Sequence, residues 1–347
     1  MAYNTWHIRY DIYCRIGAII MSTVYLLSAG QRMCKNGGRI EIWKDTREKM
    51  YSLTLEDISS VVVGSHTQIS TEVIYTLLQN SVQISYIDRS GKLLGCMADN
   101  KISLDRLLMQ QRCFVHPKIA AELIRHTISR KMENQRHLLS YYASSQQNER
   151  LKEAAAVIRI YEHKLSYTDA AEELRGYEGI ASRVYFEAFG EIFDSRQWDW
   201  SGRNRRPPQD PVNSMLSYGY AFLEREVRAA IAGARLDARI GFLHSNNGRK
   251  DSLVFDLLEL FRQNVIDKFV LKMINRQLLL PIDFAYDEEL GCRFSDAARR
   301  KWILYYEKYM LAQRKMLDGM NWRQHIQKEI ESFADMIYEK AAHYLQP

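Results

Sequence analysis

Several familiar signatures are missing from this sequence, and each absence narrows what the chain can do. There is no Cys-x-x-Cys pair. The five cysteines, Cys14, Cys34, Cys96, Cys113 and Cys292, are odd in number and widely spaced. That pattern argues against a disulfide framework or structural zinc, and for reduced thiols in a cytoplasmic protein. There is also no GxGxxG, Walker-type or HExxH motif, no internal repeat and no low-complexity tract. One apolar run near the start, Ile16 to Leu27, follows Arg9 and Arg15 and precedes the small residues Ser28, Ala29 and Gly30. It has the outline of a signal peptide but is too short to span a bilayer. The thiol pattern opposes secretion, and Val24 to Leu27 reads better as a first strand. Residues 1–21 are therefore set apart as a leader-like extension, with Met21 as a candidate functional start.

What is present describes a globular protein. At 347 residues, 46% of them hydrophobic, the chain can hold two domains and a sizeable core. Its net charge of +6 is a mild basic bias that permits a polyanionic partner without demanding one. Residues 22–97 carry alternating or β-branched runs (VYLL, RIEIW, MYSLTL, DISSVVVG, VQISYID, GKLLGCM) and a hairpin turn at Lys35-Asn36-Gly37-Gly38. With one short helix, STEVIYTLLQN, this predicts a single small sheet used for packing or dimerisation. Residues 98–112 read as a connector. From 113 to 347 the pattern is helical, with Pro117 placed for a first turn. Helices are expected from Lys118 to Ser144, Asn148 to His163, Asp296 to Leu317 and Trp322 to His343. Others start near Asp169, Asp210 and Ser252, and a loop is expected around Pro281. The fold class is α+β: a small N-terminal β-sheet domain followed by a larger all-α domain.

Charge and glycine mark three places in the helical part. The helix after Pro117 carries Arg125, His126, Arg130, Lys131, Arg136 and His137, either as a solvated face or as a contact for phosphates. In Arg175-Gly176-Tyr177-Glu178-Gly179 two glycines interrupt a helical run. Each costs about 1 kcal/mol against alanine, which suggests a kink or a close approach by a backbone or ligand. Glu178 is thereby a candidate for a special role, with Glu187 in YFEAFG as its rival. The loop SGRNRRPP groups Arg203, Arg205 and Arg206, either as an exposed linker or as a contact for nucleic-acid backbone. Tyr218 and Tyr220, just beyond, read as packing residues.

The stretch Gly241 to Arg276 concentrates the chemistry. His244 ends a short apolar run. A polar turn, Ser245 to Asp251, follows, with Gly248 as its pivot and Arg249 and Lys250 as its basic residues. A nearly all-apolar helix then starts at Ser252, interrupted by Asp256 and Glu259, three residues apart and so on one face. Together with Gln263 and Asp267 these acids could form one wet stripe. Against that, a helix apolar nearly all round is a buried one, and ionised carboxylates buried there are costly unless paired or metal-bound. A loop histidine, a basic turn and paired buried acids make a hard-cation site suited to magnesium or manganese.

Several blocks together resemble one family. They are LRGYEGIASRVYF, GRNRRPPQDPVNSMLSYGYAFLEREV, GFLHSNNGRKDSLVFDLLELFR and VIDKFVLKMINR, joined by VYLLSAGQRMCKNGGRIEI and VQISYIDRSGKLLG near the start. In order and context they are similar to the CRISPR-associated integrase/endonuclease, the larger subunit of the spacer-acquisition complex. The resemblance covers nearly everything from about residue 22; residues 1–20 fall outside it. It implies a metal site of Glu178, His244 and Glu259, with Asp256 adjacent in the same catalytic site, and so favours Glu178 over Glu187. It also implies Mg2+ or Mn2+ as cofactor, a homodimer formed through the β domains, and a small ferredoxin-like CRISPR adaptation protein as partner. The implied reaction is attack by a protospacer 3′-hydroxyl on a repeat phosphodiester of double-stranded DNA. Arg203, Arg205, Arg206, Arg249 and Lys250 are the residues expected to position phosphates. Two rival readings remain: a metal-dependent nuclease of repair or defence without integration, and a non-catalytic nucleic-acid scaffold.

Overall fold

The computed structural model describes residues 22–44, 48–89, 91–98, 103–205, 207–244 and 251–344. The leader-like extension, Arg206, Gly248, Arg249 and Lys250 lie outside the described residues. The chain divides into two compact units, Met1–Asp99 and Asn100–Pro347.

The first unit contains β1 (Ser22–Leu26), β2 (Gln31–Asn36), β3 (Arg39–Lys44), β4 (Glu48–Leu53), β5 (Ile58–Val63), β6 (Gln68–Ile69), α1 (Thr71–Gln79), β7 (Gln83–Ile87) and β8 (Leu93–Met97). The β2–β3 hairpin forms where the Asn36-Gly37-Gly38 turn predicts it, with Gly37 at φ +59. The single sheet expected from the sequence is in fact two four-stranded sheets, ordered β1-β5-β7-β8 and β4-β3-β2-β6. The reason is parallel pairing. β5 lies parallel to both β1 and β7, and β6 parallel to β2, and such pairs need crossovers that no local turn signal reveals. Ser70 caps α1, its side chain accepting from Val73 N, so that Val73 and Leu77 reach a core shared with Leu26, Met33, Val61 and Ile84.

The second unit is largely helical. It comprises α2 (Leu104–Val115), α3 (Pro117–Gln146), α4 (Glu149–Lys164), α5 (Ala171–Phe189), α6 (Pro211–Gly233), α7 (Ser252–Leu258), α8 (Lys268–Asn275), α9 (Asp296–Leu311) and α10 (Trp322–Tyr344). Starts are set by caps. Pro117 opens α3, Asn148 accepts from Leu151 N before α4, and Asp210 accepts from Asn213 N before α6. An aromatic core surrounds Trp302, with Tyr218, Phe222, Phe269 and Tyr306 at ring-centroid distances of 4.9–5.2 Å.

Five features of this unit depart from the sequence expectation. The presumed connector contains most of α2. The loop after α8 ends in a hairpin, β9 (Phe284–Asp287) with β10 (Gly291–Phe294), so this unit is not purely helical. The helix expected to reach Leu317 stops at Leu311, and residues 315–317 form a separate short turn. No kink accompanies Gly176 and Gly179: α5 runs unbroken, and a Cβ at either glycine would meet nothing within 4 Å. Finally, the helix from Ser252 is not continuous. It breaks after Leu258 and passes through a wide π-type turn, Arg262–Asp267, before resuming as α8. Distant side chains stabilise the break. Asn134 of α3 donates from Nδ2 to the Leu260 carbonyl (2.9 Å) and accepts from Asn264 Nδ2 (2.6 Å), while the Tyr309 hydroxyl meets the Asn264 carbonyl (3.3 Å).

Candidate active site

The site is assembled by α3, α5, the segment 241–244 and the broken helix. Asp256 on α7 is 1% exposed. Its Oδ2 accepts from the backbone amides of Phe242 (2.5 Å) and Leu243 (3.0 Å), and its Oδ1 from the His244 amide (2.9 Å). The same Oδ1 lies 2.7 Å from His244 Nδ1. An ionised carboxylate offers no proton, so Nδ1 carries the hydrogen and Nε2 remains as the ring nitrogen available to a ligand. The imidazole is 43% exposed, within reach of solvent. These four bonds engage both oxygens of Asp256, which makes it a positioning residue for His244 and its segment. Gly241 permits the approach: a Cβ there would fall 2.6–2.7 Å from Ser252 C, Leu253 N and Asp256 Oδ2. From the other side Arg175 Nε donates to the Leu243 carbonyl (2.9 Å), tying α5 to the segment.

Glu178 and Glu259 meet around a third residue. Lys131 on α3 bonds Glu178 Oε1, and the same Nζ stands 2.8 Å from Glu259 Oε2. Ser182, one turn along α5, donates to Glu178 Oε1 at 2.9 Å. The other Glu259 oxygen pairs with Arg262 Nη1 at 3.2 Å. Burial alone pushes the Glu259 carboxyl up; Arg262 and Lys131 outweigh it and hold the group down at about 2. His244 acts on Glu259 in the same direction. Lys131 and Glu259 are buried, whereas Glu178 is partly exposed. The rival Glu187 is exposed and lines a cleft that Ser182 also lines.

A second layer holds Arg262. Its guanidinium stacks over the Tyr220 ring at 4.8 Å, with Arg203 over the same ring at 5.5 Å. The Tyr220 hydroxyl donates to Asp267 Oδ1 (2.6 Å) and the Tyr185 hydroxyl to Oδ2 (2.7 Å). Complete burial lifts the Asp267 carboxyl to about 6, against the pull of both hydroxyls. Of the expected phosphate contacts, Arg203 is turned inward: its guanidinium donates to Asn213 Oδ1 (2.6 Å) and Ser217 Oγ (3.2 Å), fixing the loop. Arg205 is exposed and lines a cleft of about 650 Å³ with Ser182, Arg183, Phe186 and Trp200.

Sequence reasoning counted Lys131 only among the basic residues of its helix and did not consider Arg262, Ser182 or Asn134. A signal existed. Thr127, Lys131, Asn134 and Gln135 are buried polar residues on the inward face of α3, interrupting the apolar spacing of Leu123, Ile124, Ile128, Leu138 and Leu139.

Among the described residues no three His, Cys, Asp or Glu side chains converge as a ready cage for an ion. The ammonium of Lys131 stands between the two glutamates instead. The donors nevertheless suit a hard cation. Two carboxylate oxygens already share one positive charge, the buried Glu259 Oε2 meeting the Lys131 ammonium at 2.8 Å.

Comparison with known proteins agrees over most of the chain. The sequence profile described as CRISPR associated protein Cas1 matches residues 24–308. A CRISPR-associated endonuclease Cas1 of Thermodesulfovibrio yellowstonii is 31% identical over 334 residues, covering 92% of this chain and 98% of its own. One from Thermus thermophilus is 31% identical over 292 residues, covering 83% and 87%. Among solved structures, a casposase bound to integration product superposes with a TM-score of 0.81 at 25% identity, over 92% of this chain and 91% of that one. A Cas1 protein from Thermotoga maritima shares the fold, with a TM-score of 0.78 at 22% identity over 91% and 97%. The profile match and the two endonuclease relatives span the β unit and the helical unit alike, and the chain belongs to the CRISPR associated protein Cas1 family.

Proposed function

We propose that this chain is a DNA integrase and endonuclease of CRISPR adaptation. A protospacer fragment's 3′-hydroxyl attacks a phosphodiester of a repeat; the new ester bond forms as the old one breaks, and the repeat strand leaves with its own 3′-hydroxyl. The observation that carries this reading is a buried, ionised Glu259 gathered with Glu178 around one positive charge, in the field of a histidine locked by Asp256. Family membership and the likeness to a casposase bound to integration product support it.

Glu178, His244 and Glu259 are the residues that would hold Mg2+ or Mn2+, which when bound polarises the phosphoryl oxygen and stabilises the charge developing on it. The remaining roles belong to the protein. Asp256 keeps the His244 proton on Nδ1 and the ring in one orientation. Arg262 keeps Glu259 ionised. Gly176 and Gly179, with open space beside them, leave the flank of Glu178 clear for a DNA backbone. Arg205, Arg206, Arg249 and Lys250 position phosphates, and Arg203 braces the loop that carries two of them. The β unit mediates a homodimer, and a small ferredoxin-like CRISPR adaptation protein is the partner. No helix among the described residues is long and apolar enough to cross a membrane.

Strand transfer tests this. A labelled duplex with free 3′-hydroxyls is mixed with the protein, its partner, Mn2+ and a supercoiled plasmid bearing a repeat array. Label joins the plasmid, and Glu178→Ala, His244→Ala or Glu259→Ala each lowers joining at least about 100-fold. Nicking without joining would leave a plain nuclease. No metal-dependent reaction on any DNA would leave a scaffold.

A further inference from the structure

Lys131 is the best-placed residue that the proposed chemistry leaves without a task. It lies on the inward face of α3, its side chain 8% exposed, and its ammonium touches both carboxylates assigned to the metal. Lysine is rarely buried, because its compact charge is strongly hydrated. Here the loss of water is offset by two anions on two other elements. Both contacts are close: Glu178 Oε1 receives a hydrogen bond, and Glu259 Oε2 lies 2.8 Å from the same ammonium. One ammonium shared by two carboxylates neutralises them as an ion in that position would.

We propose that Lys131 is a built-in counter-cation: its ammonium holds the place between Glu178 and Glu259 that a divalent ion takes, and metal binds by displacing it. This rests on the metal-site reading above. Three consequences follow from the chemistry. Without a cation between them, two facing carboxylates repel, and the buried one takes up a proton or opens the helix contact; Lys131 keeps the pair assembled. An ammonium and a divalent ion cannot share the position, since like charges a few ångströms apart in a buried site repel strongly. A monovalent ion brings no more charge than the ammonium and loses its water to do so, whereas a divalent ion brings twice the charge. Lys131 thus selects for divalent ions at the expense of absolute affinity. Its four-carbon stem allows the ammonium to swing toward the partly exposed Glu178 side when displaced.

The test reads metal binding, not turnover. Mn2+ is titrated calorimetrically into metal-free full-length protein, wild type, Lys131→Gln and Glu259→Gln. Lys131→Gln is expected to bind Mn2+ about tenfold tighter or more, and to melt lower than wild type without metal. Equal or weaker binding by Lys131→Gln, with Glu259→Gln unable to bind, overturns the counter-cation and leaves the metal site standing. Wild-type binding retained in Glu259→Gln overturns both. A second measurement needs no variant. In wild-type protein, amine labelling read by mass spectrometry finds Lys131 protected without metal and reactive once Mn2+ is saturating. Protection that persists under saturating Mn2+ overturns the proposal, as does reactivity in its absence.

Discussion

Asp256 and Glu259, three residues apart, are both buried acids, yet their partners give them opposite work. Asp256 is saturated by three backbone amides and a ring nitrogen. Glu259 is held by two cations, Lys131 and Arg262, one on each oxygen. Their separation into positioning residue and ligand candidate is a matter of what each faces, which spacing alone does not show. Asp256→Ala would leave three amides without their acceptor, at roughly 1–3 kcal/mol for each one buried. Urea unfolding should show a loss of at least about 3 kcal/mol, and strand joining should fall with it. Asp256→Asn, which retains one acceptor oxygen, should lose less stability than Asp256→Ala.

At the scale of elements, α5 is the informative case. Two glycines in a helix read as a kink or as a close approach by a backbone or ligand, because glycine costs the same wherever it stands and sequence carries only the cost. In the molecule they create bare helix surface beside Glu178. Gly176→Ala and Gly179→Ala should therefore each stabilise the protein by about 0.5–1 kcal/mol, measured by thermal unfolding, while lowering strand joining. A rise in stability with undiminished joining would remove the proposed role of that surface. Helix starts were legible because their causes are local: Pro117, Asn148 and Asp210 sit in the sequence beside the helices they open. The two-sheet arrangement and the broken helix were not. Parallel partners and the braces Asn134 and Tyr309 lie far away in sequence. The burial of Lys131 had a trace in the spacing of α3, but its role did not, because that comes from two acids far away in sequence.

Over the whole molecule, buried charge ties stability to pH in two opposed ways. Glu259 has its carboxyl lowered from 4.5 to about 2, so its contribution is present above 4.5 and is lost as pH falls toward 2. Asp267 has its carboxyl raised from 3.8 to about 6, so it costs stability above 6, and that cost is relieved as pH falls through 6 toward 3.8. These two contributions taken together are most favourable in mildly acidic solution, between the two effects. Removing the second with Asp267→Asn should flatten the upper part of the profile. From about pH 7 to pH 4.5, wild type should gain on the variant by about 2 kcal/mol in chemical denaturation. A constant difference would mean that Asp267 is ionised throughout.

The wide turn at Arg262–Asp267 has a consequence for how such a chain can vary. A turn of this kind holds one residue more than an α-helical turn, and one residue of helix corresponds to a rotation of about 100°. Deleting a single residue between 262 and 267 would narrow this turn to an α-helical one, an outcome any propensity scale would favour. It would also turn Glu259 away from Lys131 or carry α8 off its packing face. Side chains along this stretch can be exchanged one at a time at graded cost, but its length cannot change. The position of the acid is kept by counting residues, and an insertion or a deletion loses the count.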